Sequence, residues 1–228
     1  MLASDEAQAL WLSIRVASLA TLLIVALGTP LALLLARARF FGKSFLSGVL
    51  ALPLVLPPTV LGYLLLQVLG RRQWLGVWLE QTWNITLVFH WTGAVLASAV
   101  AAFPLFLLPT RSAFEGVDPA LEDAARLLGR REASVFLTIT LPLAWRGLAA
   151  GAMLAFARAL GDFGATLMVA GNIPGLTQTA SLAIYDAVQV PDAAHAAKAA
   201  RLTFWISALS ITALMVVQWS IRPRERRS

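Results

Sequence analysis

Five apolar runs, at roughly 10–36, 45–69, 85–109, 145–170 and 202–221, are each about the 20 residues a helix needs to cross a bilayer. In hydrocarbon the backbone must satisfy its own hydrogen bonds. The chain therefore reads as all-α, a polytopic membrane protein of about five transmembrane helices in one domain, 1–228. Composition agrees: 59% of residues are hydrophobic and 13% charged, against typical soluble values near half and a quarter.

Five crossings put the termini on opposite sides. If the N-terminus is outside, Arg37, Arg39, Lys43, Arg111, Arg126, Arg130, Arg131, Arg146, Arg222, Arg224, Arg226 and Arg227 share the inner side. Only Arg71, Arg72, Lys198 and Arg201 fall opposite, so the bias of basic residues predicts N-out, C-in. The net charge of +6 is thereby a topology signal, and no nucleic-acid partner is expected. Trp11, Trp74, Trp78, Trp83, Trp91, Trp145, Trp205 and Trp219 lie at or near proposed span ends, as rings that prefer the headgroup level should. Arg15 sits close enough to the outer end of the first span to snorkel. Asp5 and Glu6 stand where a secretory leader would be basic, so no cleavable signal is expected.

The chain has no cysteine, which excludes disulfides, Cys-ligated metals and thiol catalysis. His90 and His195 lie far apart without a ligand pattern, so no metal site is expected and both are placed at a membrane surface. Gly42-Lys43-Ser44 resembles the end of a phosphate-binding loop, but Arg37 occupies the position that needs glycine and no buried strand precedes it. No nucleophile with an adjacent base supports an enzyme. Energy for any transport must then come from a partner.

Within the spans, the Thr29-Pro30 step predicts a kink, and Pro53, Pro57 and Pro58 predict a distorted second span whose freed carbonyls face a bundle interior. Pro57, Pro58 and Thr59 are candidate pathway residues, with a packing kink as the alternative. The Trp-rich stretch Gly70 to Asn84 is expected on the outer membrane surface, and the third span is expected to end at Pro104 and Pro109. The fourth carries Gly147-x-x-x-Gly151, a spacing for close helix packing. Arg158 and Asp162, four apart on one face, are too costly to leave in lipid. Either they form a gate or pathway element, or they are an ion pair locking the helix. The amphipathic stretch Thr179 to Val190 is expected either to lie on the membrane or to dip into it.

Residues 118–142 interrupt this greasy pattern. Asp118 suits an N-cap, Pro119 the first helical position and Gly129 the position past the end, which predicts one short helix over 119–128. Leu121, Ala124, Ala125 and Leu128 give it a narrow apolar face better suited to a partner's groove than to a core.

Here the chain resembles the ABC importer permeases, whose coupling loop reads Glu-Ala-Ala, three residues, Gly, nine residues, Ile, one residue, Leu-Pro. The match is Asp123-Ala124-Ala125, Gly129, Ile139 and Leu141-Pro142, with every spacing kept. Asp123 stands for the usual Glu, and the neighbouring Glu122 leaves open which carboxylate meets the partner. Pro53 to Gly70, and Ala157 to Ala187 with Gly161-Asp162-Phe163-Gly164-Ala165-Thr166-Leu167-Met168, resemble the molybdate branch, with sulfate and tungstate permeases as close relatives.

The resemblance implies the type I importer permease fold, with a cytoplasmic coupling loop at about 110–142. It implies a homodimer in the bacterial inner membrane, docked on two ATPase subunits and fed by an extracytoplasmic oxyanion-binding protein. ATP would be bound by the ATPase and no cofactor by this chain. Some members of the branch carry a cytoplasmic oxyanion-sensing domain after the last span, and none is expected here. The rivals are a self-contained secondary transporter or channel, disfavoured by the lack of an evident inverted repeat, and a non-transport membrane scaffold.

Overall fold

The computed structural model describes residues 4–70, 73–83 and 86–221, and every regular element among them is helical. The chain order is α1 (Ser4–Arg37), α2 (Lys43–Val55), α3 (Pro58–Leu69), α4 (Trp74–Trp83), α5 (Trp91–Glu115) and α6 (Pro119–Leu127). There follow α7 (Glu132–Val135), a π-helical turn (Phe136–Thr140), α8 (Leu141–Leu160), α9 (Gly164–Ala170), α10 (Ala180–Gln189) and α11 (Ala193–Ile221). Arg71, Arg72, Arg222, Arg224, Arg226 and Arg227, used above to assign sidedness, lie outside the described residues, as do the side chains of Trp74, Trp83 and Trp219.

Four helical runs are long and apolar enough to cross a membrane: α1, α5, Glu132–Leu160 and Ala193–Val216. The fifth candidate is the α2–α3 pair, bent by 118°. Leu56 and Pro57 are extended between the two helices, and the prolines at 57 and 58 bring no N–H with which to continue α2. Both helices of the pair still contact α5. Arg111 Nη1 donates to Ser47 Oγ (3.0 Å) near one end, and Leu61 packs with Ala97 and Ala101 about 21 Å away along the helix.

The centre of the bundle is α5 against α1 and α8. Ala17, Ala20 and Ile24 of α1, Ala99, Ala102 and Phe106 of α5, and Ala155, Ala159 and Leu160 of α8 form one buried cluster. Small residues let these backbones approach. A Cβ on Gly147 would lie 2.3 Å from Ala113 Cβ, and one on Gly151 would lie 2.9 Å from the Phe106 carbonyl oxygen. The Gly147-x-x-x-Gly151 expectation therefore holds.

Several expected boundaries are corrected. α5 runs through Pro104 and Pro109 to Glu115, and both prolines are interior to the helix. The fourth run starts at Glu132, well before 145, so Trp145 lies in its interior; it ends at Leu160, where Gly161 to Phe163 separate α8 from α9. The last helix begins at Ala193 rather than 202. α1, at 34 residues, is about 51 Å long and exceeds a hydrocarbon core of about 30 Å, so its ends project beyond it. α1 also continues unbroken through Pro30.

The proline-rich face of the second span is not inside this chain's bundle. α2 buries no residue at all, and Leu52, Leu54, Val55, Val60 and Tyr63 are exposed. α10, in contrast, packs inward. Ala180 and Ala183 join Ala9, Leu10 and Leu202, and Ser13 Oγ accepts from Ala180 N (2.8 Å). At that end of the molecule Asp5 pairs with Lys198 (2.6 Å), Glu6 accepts from Arg201 Nε (3.2 Å), and Arg15 sits 4.0 Å over the Trp91 ring.

Candidate functional site

The first cluster gathers around α6. Asp118 accepts from Ala120 N (2.9 Å) and Pro119 fills the first turn, so the cap read from sequence is present. Gly129 sits at φ +78°, the left-handed conformation that ends such a helix at little cost for glycine.

The faces of α6 differ from the expected stripe. Ala125 is only 8% exposed and turns inward with Glu122, whereas Leu127 and Leu128 are 89% and 84% exposed and Leu121 and Ala124 are also open. The outward surface is therefore leucine-rich, and the inward one is an alanine and a carboxylate.

Glu122 and Asp123 both pair with Arg126, whose Nη2 stands 3.8 Å from Glu122 Oε2, but Glu122 also has partners on other elements. Glu122, 5% exposed, accepts through Oε1 from Arg37 Nη2 (2.7 Å) and from Thr140 Oγ1 (2.7 Å). Arg37 Nη2 also donates to the Val117 carbonyl (3.2 Å). Asp123 is exposed and pairs with Arg126 (2.6 Å), which also makes two hydrogen bonds to Glu132 (2.7 and 3.1 Å). These bonds, to Glu132 first and Asp123 second, raise the Arg126 pKa above the ordinary arginine range. Between α1 and α6–α7 lies a cavity of about 640 Å³, lined among others by Arg37, Glu122, Glu132 and Thr140. Of the remaining signature residues, Ile139 lies half-buried in the π-helical turn, and Leu141 and Pro142 open α8.

The second cluster sits at the α8–α9 break. Asp162, 2% exposed, accepts from Arg158 Nη1 (3.0 Å) through one oxygen. The other oxygen accepts from Thr166 N (3.0 Å) and Thr166 Oγ1 (2.7 Å), which satisfies an otherwise unpaired donor in the first turn of α9. Ser98 of α5 lies 3.3 Å from the Thr166 hydroxyl. Pro58 and Thr59 join Arg158, Asp162 and Gly164 around a cleft of about 480 Å³, while Pro57 lies outside that lining as the N-cap of α3. A Cβ on Gly164 would come within 2.8 Å of Pro58 Cβ, so glycine is what lets α3 sit on α9.

Thr140 and Ser98 were not singled out in the sequence, and Arg37 and Thr166 were noted there without these contacts, because each role depends on a partner that the fold supplies. For Arg37 a signal did exist: it is the first cation after an apolar run.

Asp162→Asn removes a charge from a pair that is buried on one side only. The expected cost is about 1–3 kcal/mol, below the 3–5 of a fully buried pair because Arg158 is partly solvated. Thermal unfolding in detergent together with transport assays checks this. Full stability with full transport would remove both the bracing and the gating roles of the pair.

The family model described as "Binding-protein-dependent transport system inner membrane component" matches residues 28–222, which takes in both clusters. The chain belongs to that family. It is a multi-pass inner-membrane component of a transport system. It is 48% identical to the Escherichia coli (strain K12) molybdenum transport system permease protein ModB, over 99% of this chain and 98% of that protein. Against the Haemophilus influenzae protein of the same name it is 45% identical, over 97% and 96%. The crystal structure of an amino acid ABC transporter with histidines shares its fold: TM-score 0.60 at 17% identity, covering 94% of this chain and 92% of that one. Within the family match, the Asp123 to Pro142 spacing falls on α6, α7, the π-helical turn and the start of α8, not on an irregular loop.

Proposed function

We propose that this chain is the membrane-spanning subunit of an ATP-driven importer that carries molybdate inward from an extracytoplasmic binding protein. The observation that carries the reading is α6: a short polar helix pinned by Glu122 and turning Asp123, Ala124, Leu127 and Leu128 outward, within a chain nearly half identical to molybdenum permeases. An outward patch of leucines beside a carboxylate suits a groove with an apolar floor and a basic rim. We assign that groove to an ATPase subunit, which would bind the ATP; this chain itself takes no cofactor.

In this reading the N-terminus is outside, the C-terminus inside, and two copies assemble through membrane-embedded surfaces such as the bare apolar faces of α2 and α3. Closure of the paired ATPases would push α6 of each copy and swing the bundle between its two openings. The cleft at Arg158, Thr59 and Gly164 is assigned to the pathway, with Asp162 offsetting the arginine so that a dianion is not held too tightly to leave.

The test is ATPase stimulation in the assembled complex with its binding protein. Molybdate is expected to raise hydrolysis more than sulfate does. A response to sulfate with none to molybdate would overturn the substrate assignment, and an equal response to tungstate would widen it to the larger oxyanions.

A further inference from the structure

We infer that Glu122 is a positioning residue that fastens α6 to the membrane bundle, bridging Arg37 at the end of α1 and Thr140 at the start of α8. The inference rests on the proposed role of α6 as the ATPase-facing helix. α6 is nine residues long and buries only Glu122 and Ala125, and one methyl group is too little apolar surface to hold a helix in place. The carboxylate supplies the missing attachment. Its Oε1 takes donors from residues 85 and 18 positions away in the chain, so both bonds are tertiary rather than local.

Two details show that the surroundings are arranged for this carboxylate. Thr138, like Thr21 and Thr29, returns its hydroxyl proton to the carbonyl four residues back, the usual choice for a helical threonine. Thr140, the last residue of the π-helical turn, instead donates to Glu122. Arg37 meanwhile holds both Glu122 and the Val117 carbonyl just before the α6 N-cap, gripping the α5–α6 connection on two sides. A push on α6 is therefore delivered at once to the end of α1 and to the start of α8, the two helices that sandwich α5.

The experiment uses proteoliposomes holding the full complex with its binding protein. It reads molybdate imported per ATP hydrolysed and the amount of ATPase copurified with the chain. Glu122→Gln and Thr140→Val are each expected to lower the import ratio about tenfold with the ATPase still bound, and the double variant to be no worse than the poorer single. Effects that multiply in the double variant, or an unchanged ratio in Glu122→Gln, would overturn the inference. If Glu122→Gln does not accumulate, Thr140→Val with Arg37→Gln makes the same comparison. Failure of the underlying docking role has a different signature: the unaltered chain would not retain the ATPase.

Discussion

Ala125→Glu is expected to abolish ATP-dependent uptake while leaving the chain inserted in the membrane. Ala125 turns inward and is almost wholly covered, and Glu122, one turn earlier on the same side, already places a carboxylate there. A second carboxylate without a counter-ion costs about 3 kcal/mol or more, on the order of a hundredfold in the population of the seated helix. Ala124→Glu isolates the other face. Ala124 is exposed, so the helix should stay seated and only ATPase retention should fall. Limited proteolysis around Gly129, run beside copurification of the ATPase, separates the two outcomes. If Ala125→Glu left both wild-type, α6 would not be seated as described.

Gly147→Leu is expected to damage the fold itself. The new Cβ would stand 2.3 Å from Ala113 Cβ and 3.1 Å from the Pro109 carbonyl, both on the central helix α5, so α8 would have to move away. Overpacking against backbone costs about 3 kcal/mol, or about 6–12 °C in the thermal midpoint of a chain this size. Gly129→Ala provides the contrast. Nothing lies within 4 Å of that position, so only the left-handed backbone penalty of about 1–2 kcal/mol applies, with a correspondingly smaller shift. Equal midpoints for the two variants would contradict the close α5–α8 approach.

What could be read from sequence was what local rules govern. Asp118, Pro119 and Gly129 bracket α6 because caps and left-handed glycines act within a few residues. The spans were visible because hydropathy sums over a window, and the glycine pair at 147 and 151 because a four-residue spacing is a helix face. Directions in space were not legible. Pro53, Pro57 and Pro58 announced a distortion but not a 118° bend, because the angle depends on how α3 settles on α9 through Gly164 and Gly62. Pro104 and Pro109 looked like an end, yet α5 continues because the helices packed around it hold it in place. The inward turn of Glu122 was hidden for the same reason: its donors Arg37 and Thr140 belong to elements that only tertiary structure brings together.

Uptake of molybdate through this chain is expected to require a separate ATPase. Vesicles containing the chain alone, the chain with ATPase subunits, and the chain with ATPase subunits plus the binding protein can be compared for uptake of labelled molybdate, with and without ATP. Accumulation is expected only in the last set and only with ATP. Accumulation by the chain alone would instead make the protein a self-contained transporter.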